Sequence, residues 1–304
     1  MTGLPRCVRF VAALGLMAAV GVACTQPARP PTGASRLESL QGVPGALTAA
    51  LATSEVAVGK SQRFLLVIIG PDNQLITDAA VELAFFKVTA PGQAQLRAVS
   101  ETTMRESPGL PGRGVYVARA DFDEPGEWGV AADLVRPGQP PAQLRISFQV
   151  KEKSGTPAIG EPVPASRTLT GTTVEAVERF SSARPADVAL YRLSIADAIA
   201  ARKPFAVLFA TPGFCTSRTC GPSLEVLQAL RDRFGADANF IHVEIYKDGR
   251  PGEMVPAVAE WGLPSEPWLF LVDGDGRLAE KLEASITVDE AAPVLERLIG
   301  RGTS

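Results

Sequence analysis

The chain changes rhythm once, and that change constrains its fold more than any composition figure does. Up to residue 150 the apolar residues come in short runs closed by Gly, Pro, Asp or Asn; after residue 167, amphipathic stretches alternate with continuous apolar ones. Strand-only and strand–helix rhythms in succession imply two separately layered parts. In the first part "QRFLLVII" (62–69) runs into "GPDN", "AVELAFFKV" (80–88) into "TAPG", and "GVYVARADF" (114–122) into "DEPG". "EWGVAADLV" (127–135), the turn "RPGQPP" and "QLRISFQV" (143–150) follow. Five such runs, with weaker ones at 54–58 and 95–101, predict an antiparallel β-sandwich over 46–150.

"KEKSGTPAIGEPVPASR" (151–167) has charge, Gly and Pro without apolar periodicity and reads as a linker to a second domain, 168–304. There "SIADAIAARK" has helical spacing, with Ser194 placed to cap it and Asp197 at the third helical position. "PFAVLFA" is continuous enough to be a strand covered on both faces. "SLEVLQALRDRFG" reads as a helix, "NFIHVEIY" as a strand and "VPAVAEWG" as a short helix. "WLFLVDGDGRL" opens a hairpin, and "TVDEAAPVLERLIG" closes as a helix. The predicted order is α-β-α-β-α-β-β-α. "DGDG" lacks the remaining acidic ligands and closing Glu of a calcium loop, and reads as a hairpin turn. The 304 residues also exceed what one core usually organises.

At the N-terminus Arg6 and Arg9 precede the uncharged apolar run 10–22. That run is shorter than the ~20 residues a spanning helix needs, so 1–23 reads as an export signal. "VGVAC" resembles the lipobox of bacterial lipoproteins, with Gly21 where Leu is usual. The resemblance implies lipidation of Cys24, a tether over 24–45, and a membrane-anchored protein on the extracytoplasmic side. Of four cysteines, Cys215 and Cys220 would then remain as an even pair in an oxidising compartment. A net charge of −3 without like-charge blocks gives no basis for nucleic-acid binding. A single histidine, His242, excludes a multi-histidine metal site within one chain.

The pair lies in "TPGFCTSRTCGP" (211–222). Helical residues five apart are rotated by about 140°, whereas a disulfide needs Cα atoms within ~7 Å. Residues 216–219 therefore leave the helix if the sulfurs meet. Pro222 suits a first helical turn, which places the helix start near Thr219, Cys215 in the loop and Cys220 in the first turn. The helix terminus favours a thiolate at Cys220, and Arg218 could assist either sulfur. Two thiols so placed suit disulfide exchange, a soft metal such as Cu(I), or a staple contributing at most ~3 kcal/mol.

"FATPGFC", "GPSLEVL" and "EWGLPSEPWLFLVDGDGRL" together resemble the thioredoxin-like superfamily, over residues 185–304. The resemblance is to its membrane-tethered extracytoplasmic members. It implies an α/β thioredoxin-like fold and a thiol–disulfide oxidoreductase acting on a protein partner. Cys215 would attack, Cys220 resolve, and no organic cofactor or metal would be needed. Phe214, Glu266 and Pro267, the last as a cis-proline, would form the substrate groove. The spacing is Cys-x4-Cys where the family has Cys-x-x-Cys, and Leu208 and Phe209 stand where many members carry a buried acid. His242 and Glu244, on the next strand, are the candidates for proton transfer in its place. Copper-assembly proteins of the same fold, and a non-catalytic binder with a structural disulfide, are the alternatives. In the first domain "DEPGEW", with Gly126 and Trp128, resembles the Asp-x-Gly-x-Tyr corner of immunoglobulin-like domains. That implies an immunoglobulin-like sandwich used for spacing or docking.

Overall fold

A computed structural model describes residues 47–301, so the expected signal, the tether and Cys24 lie outside the described residues. Among the described residues no helix is long and apolar enough to cross a membrane. Strand dominates, in three sheets.

The N-terminal part holds β1 (Thr48–Leu51), β2 (Val56–Ala57), β3 (Gly59–Ile69), β4 (Ala80–Ala90), β5 (Gln93–Glu101), β6 (Thr103–Glu106), β7 (Gly114–Phe122), β8 (Gly126–Val135) and β9 (Ala142–Lys151). One sheet has the order β1-β3-β7-β6, the other β2-β9-β8-β4-β5. Inward residues of both form one core, in which Phe64 meets Phe85 at 5.0 Å and Phe122 meets Trp128 at 5.1 Å, both edge-to-face. Such pairs add about 0.5–1.5 kcal/mol beyond the area they bury. The Trp128 indole N–H donates to Glu124 O at 2.9 Å and fastens the turn ahead of β8. β1 and β6 are additional to the predicted strands. β5 starts two residues early because Pro91 and Gly92 (φ +74°) turn the chain within two residues, pairing Ala90 with Gln93.

The C-terminal part contains α1 (Val174–Val177), a 3₁₀ turn (Val188–Tyr191), α2 (Ile195–Ala200), β10 (Phe205–Ala210), α3 (Cys220–Phe234), β11 (Asn239–Glu244), α4 (Pro256–Glu260), β12 (Trp268–Val272), β13 (Leu278–Glu283) and α5 (Val288–Arg301). From α2 onward this is the order read from the sequence. The sheet runs β11-β10-β12-β13, with β10 and β11 parallel and the other pairs antiparallel. β10 is buried throughout because its residues alternate between two cores. Phe205, Val207 and Phe209 face α2 and α4; Ala206, Leu208 and Ala210 face α3 and α5. Ser194 and Asp197 form the expected reciprocal cap of α2. In the DGDG hairpin the Asp273 carboxylate accepts from Asp275 N–H and Arg277 N–H, at 3.0 and 2.8 Å.

Register then positions the site. Ala210 pairs with Glu244 of β11, and Phe209 pairs with Trp268 of β12. The chain leaving β10 at Thr211 is therefore flanked by Glu244 on one side and by Pro267 and Glu266 on the other.

The segment between the two parts is bound along β13 and α4. Gly160 N–H donates to Leu278 O (2.7 Å), Leu278 N–H to Glu161 O (2.9 Å) and Val163 N–H to Gly276 O (3.0 Å). Gly262, at φ +61°, faces the Gly155 carbonyl so closely that a Cβ would collide with it. The two parts also meet directly. Arg63 of β3 binds both oxygens of Glu290 on α5 and the carbonyls of Glu283 and Ser285. Ser54 N–H donates to the Glu283 carboxylate at 3.0 Å, and Lys281 Nζ donates to Ser154 and Thr156.

Candidate functional site

Between β10 and α3 the chain makes two turns, closed by Phe214 N–H to Thr211 O (3.1 Å) and by Arg218 N–H to Cys215 O (3.3 Å). Arg218 takes a left-handed conformation, φ +64°, which reverses the chain before α3 begins. This is the non-helical stretch that the cysteine spacing requires. Thr219 stands at the N-cap position, as expected, but does not cap with its side chain; its hydroxyl bonds Ser217 Oγ at 2.7 Å instead. Both cysteines are free thiols, and their sulfurs and a Glu266 carboxylate oxygen all lie within 4.8 Å of one another. Cys215 is half-buried beside exposed Phe214, and Cys220 is fully buried.

The electrostatics reverse the expectation that the helix terminus favours a thiolate at Cys220. Cys215 is the acidic thiol, its pKa lowered from 9.0 to about 5. The Cys220 thiol donates to it, which is the largest effect; Ser217 and the N–H groups of Cys220 and Thr219 add to this against partial burial. The helix terminus thus acts on the sulfur lying over it. Cys220 is pushed well above the ordinary thiol range by its bond to Cys215, by burial and by the Glu266 charge. Ser217 Oγ lies 3.1 Å from Cys215 Sγ.

Neither proton-transfer candidate has a hydrogen bond to a cysteine. His242 is buried; its Nε2 lies 3.1 Å from the Ala210 carbonyl and its Nδ1 2.5 Å from the Tyr191 hydroxyl. A carbonyl only accepts, so Nε2 carries the proton and Tyr191 donates to Nδ1. Burial lowers the His242 pKa, which suits this neutral packing role. Glu244 accepts from Ser182 N–H (2.7 Å) and Ser182 Oγ (2.6 Å), and Gly213 N–H donates to Ser182 Oγ at 3.0 Å. It therefore supports the loop before Cys215.

The carboxyl beside the thiols is Glu266, which the sequence assigns to the groove. Burial, then the Cys215 and Glu244 charges, raise its pKa to about 7 against opposing pulls from Thr211 N–H and the Cys220 thiol. Its Oε2 is buried without a hydrogen-bond partner. The peptide from Glu266 to Pro267 is cis, as is that from Arg184 to Pro185. One signal in the sequence could have found this acid: a charge directly before a proline that opens the apolar strand "WLFLV". Among the described residues, Cys215, Cys220 and Glu266 also form a group close enough to grip a metal ion, and His242 is not part of it. Two cavities, of 220 and 230 Å³, are lined by residues such as Arg63 and Glu283, and Phe180 and His242, with no cysteine in either lining.

No protein-family model matches the chain, and no curated protein matches it. Among solved structures, murine CRIg is similar at a TM-score of 0.23 and 7% identity, covering 35% of this chain and 98% of its own. The ZirS C-terminal domain gives 0.22 and 10%, covering 45% and 87%; the bacterial hydrophobin BslA gives 0.19 and 11%, covering 37% and 99%. At such scores the likeness carries no functional argument.

Proposed function

We propose that this chain is an exported, membrane-tethered thiol–disulfide oxidoreductase, with a thioredoxin-like C-terminal domain behind an immunoglobulin-like sandwich. One observation carries the reading: two free thiols lie together where β10 gives way to α3, Cys215 accessible and Cys220 fully buried, and the electrostatics agree, lowering the Cys215 pKa and raising that of Cys220. A staple needs neither the asymmetry nor the accessibility. The β-α-β unit of β10, α3 and β11, with the β12–β13 hairpin at its side, supports the fold assignment.

In the reducing direction the Cys215 thiolate attacks one sulfur of a partner disulfide. A Cys215–partner bond forms, and the other partner sulfur leaves as a thiolate. Cys220 then loses its proton and attacks Cys215 Sγ. The partner's second sulfur departs, two electrons have passed to the partner, and a Cys215–Cys220 disulfide remains. Oxidation of a partner is the same sequence reversed. A thiol whose pKa lies below ambient pH is mostly ionised, but its thiolate is a weaker nucleophile and a better leaving group.

The test is the reduction potential of the pair, read by thiol labelling of the folded chain across a glutathione or dithiothreitol series. A midpoint between about −270 and −120 mV, the span of exchange proteins, is expected. A pair still oxidised below about −300 mV behaves as a structural disulfide and overturns the reading.

A further inference from the structure

We infer that Glu266 is the proton acceptor for Cys220, taking the thiol proton as the buried sulfur attacks Cys215 and so replacing the buried acid missing ahead of the first cysteine. The inference rests on the exchange reading and names the group that its second step requires.

Geometry selects the residue. A Glu266 oxygen lies within 4.8 Å of both sulfurs, and its buried Oε2 has no hydrogen-bond partner of its own. Cys220 is fully buried, which excludes bulk water as its immediate base. The other ionisable groups acting on Glu266 are Cys215 on the preceding loop, Cys220 on α3 and Glu244 on β11. Cys215 is the attacked atom, and Glu244 is engaged with Ser182.

The acceptor is also armed at the right moment. In the reduced pair the Cys215 charge helps to keep the carboxyl protonated near neutral pH. In the mixed disulfide Cys215 is uncharged, so that influence disappears while burial stays, and Glu266 ionises more readily, its proton passing to the partner thiolate released in the first step. The Cys220 thiol has lost the thiolate to which it donated and turns its proton to the carboxylate. The Cys220–Cys215 bond forms as the Cys215–partner bond breaks, and Glu266 passes the proton to the departing partner thiolate. The proton and the electron pair are both accounted for, and no further reactant enters.

The experiment mixes the reduced full chain, with Cys7 and Cys24 replaced by Ser so that the pair carries its remaining thiols, with the aromatic disulfide dithiobis-nitrobenzoate and follows coloured thiolate release by stopped flow. The first release reports attack by Cys215, and the second reports resolution by Cys220. The controls are Cys220→Ser, which must lose the second release, and Glu266→Asp. With Glu266→Gln the first burst is retained and the second slows about a hundredfold at neutral pH, the low end of what a positioned base supplies. Its rate then climbs with hydroxide concentration instead of levelling off once the carboxyl has ionised, and Glu266→Asp recovers part of the loss. A second release that keeps its rate and pH profile in folded Glu266→Gln overturns the assignment of Glu266. Loss of the first burst in the chain that keeps Glu266 overturns the exchange reading itself, so the two failures are separable. If Glu266→Gln does not fold, the Glu266→Asp profile decides alone: no change in either its level or its pH midpoint refutes the role.

Discussion

Replacing Arg63 with Ala tests whether the sandwich and the α/β part are one cooperative structure. The Arg63 side chain is 5% exposed and binds Glu290 through Nε (2.7 Å) and a terminal nitrogen (2.8 Å), with the Glu290 side chain 9% exposed. Its remaining donors reach the Glu283 and Ser285 carbonyls, each at 2.8 Å. Truncation leaves a buried carboxylate uncompensated and two carbonyls without their donor. Breaking a buried pair from one side costs about 3–5 kcal/mol, whereas an exposed pair is worth about 0–1 kcal/mol. For a chain of this size that corresponds to a fall in Tm on the order of 10 °C. The assay is urea unfolding followed by Trp fluorescence and by far-UV circular dichroism, for Arg63→Ala, Glu290→Ala and the double variant. The double variant is expected to lose less than the sum of the singles, because removing both charges leaves neither stranded. A loss below about 1 kcal/mol in Arg63→Ala, with additive singles, would mean that the pair is solvated and the docking through β3 is wrong.

Two further outcomes follow from the site and its frame. The rate of Cys215 alkylation by iodoacetamide should titrate with a midpoint near 5, and Cys220→Ala should move that midpoint upward because the Cys220 thiol is the main cause of the low value. The folded pKa lies below the unfolded one, so the ionised sulfur adds stability that is complete above the unfolded thiol pKa and is lost as pH falls through about 5; a Cys215→Ser variant should lack that dependence in thermal melts. Gly262→Ala sets a Cβ against the Gly155 carbonyl at a left-handed φ, and should cost about 1–3 kcal/mol in urea unfolding.

What the sequence made legible was local. The six residues of β10 had to be a doubly covered strand, because continuous apolar character over so short a run leaves no polar face. The Ser194–Asp197 cap depends on residues three apart, and the cysteine turn on residues five apart. What stayed hidden was set by long-range register. Glu266 reaches the cysteines because β12 pairs antiparallel with β10, a relation that no local spacing encodes. The acidity of Cys215 over Cys220 depends on which sulfur accepts the N–H groups at the helix start and which is buried. β1, "TAAL", is short and poor in strand-forming residues, and it forms only by pairing with β3. Nothing in the local sequence singles out Arg63 or Lys281; their partners, Glu290 and Ser154 with Thr156, lie more than a hundred residues away.

That covering bears on the site itself. β13 ends the four-stranded sheet, and an open sheet edge invites unwanted pairing. Here the Gly160–Val163 segment bonds along the hairpin that carries β13, while the Ser54 loop of the sandwich closes over Glu283 at its far end. Ser54 Oγ also lies 2.5 Å from Ser265 Oγ, which accepts from the Trp268 indole N–H at 3.1 Å. Ser265 directly precedes Glu266. The sandwich therefore holds the segment 265–267 that leads into β12 from one side, whereas Cys220 at the start of α3 and the Cys215 loop lie against Glu266 on the other. Under the exchange reading, the first domain steadies the backbone that presents the carboxyl to Cys220, and Phe214 beside Cys215 stays exposed.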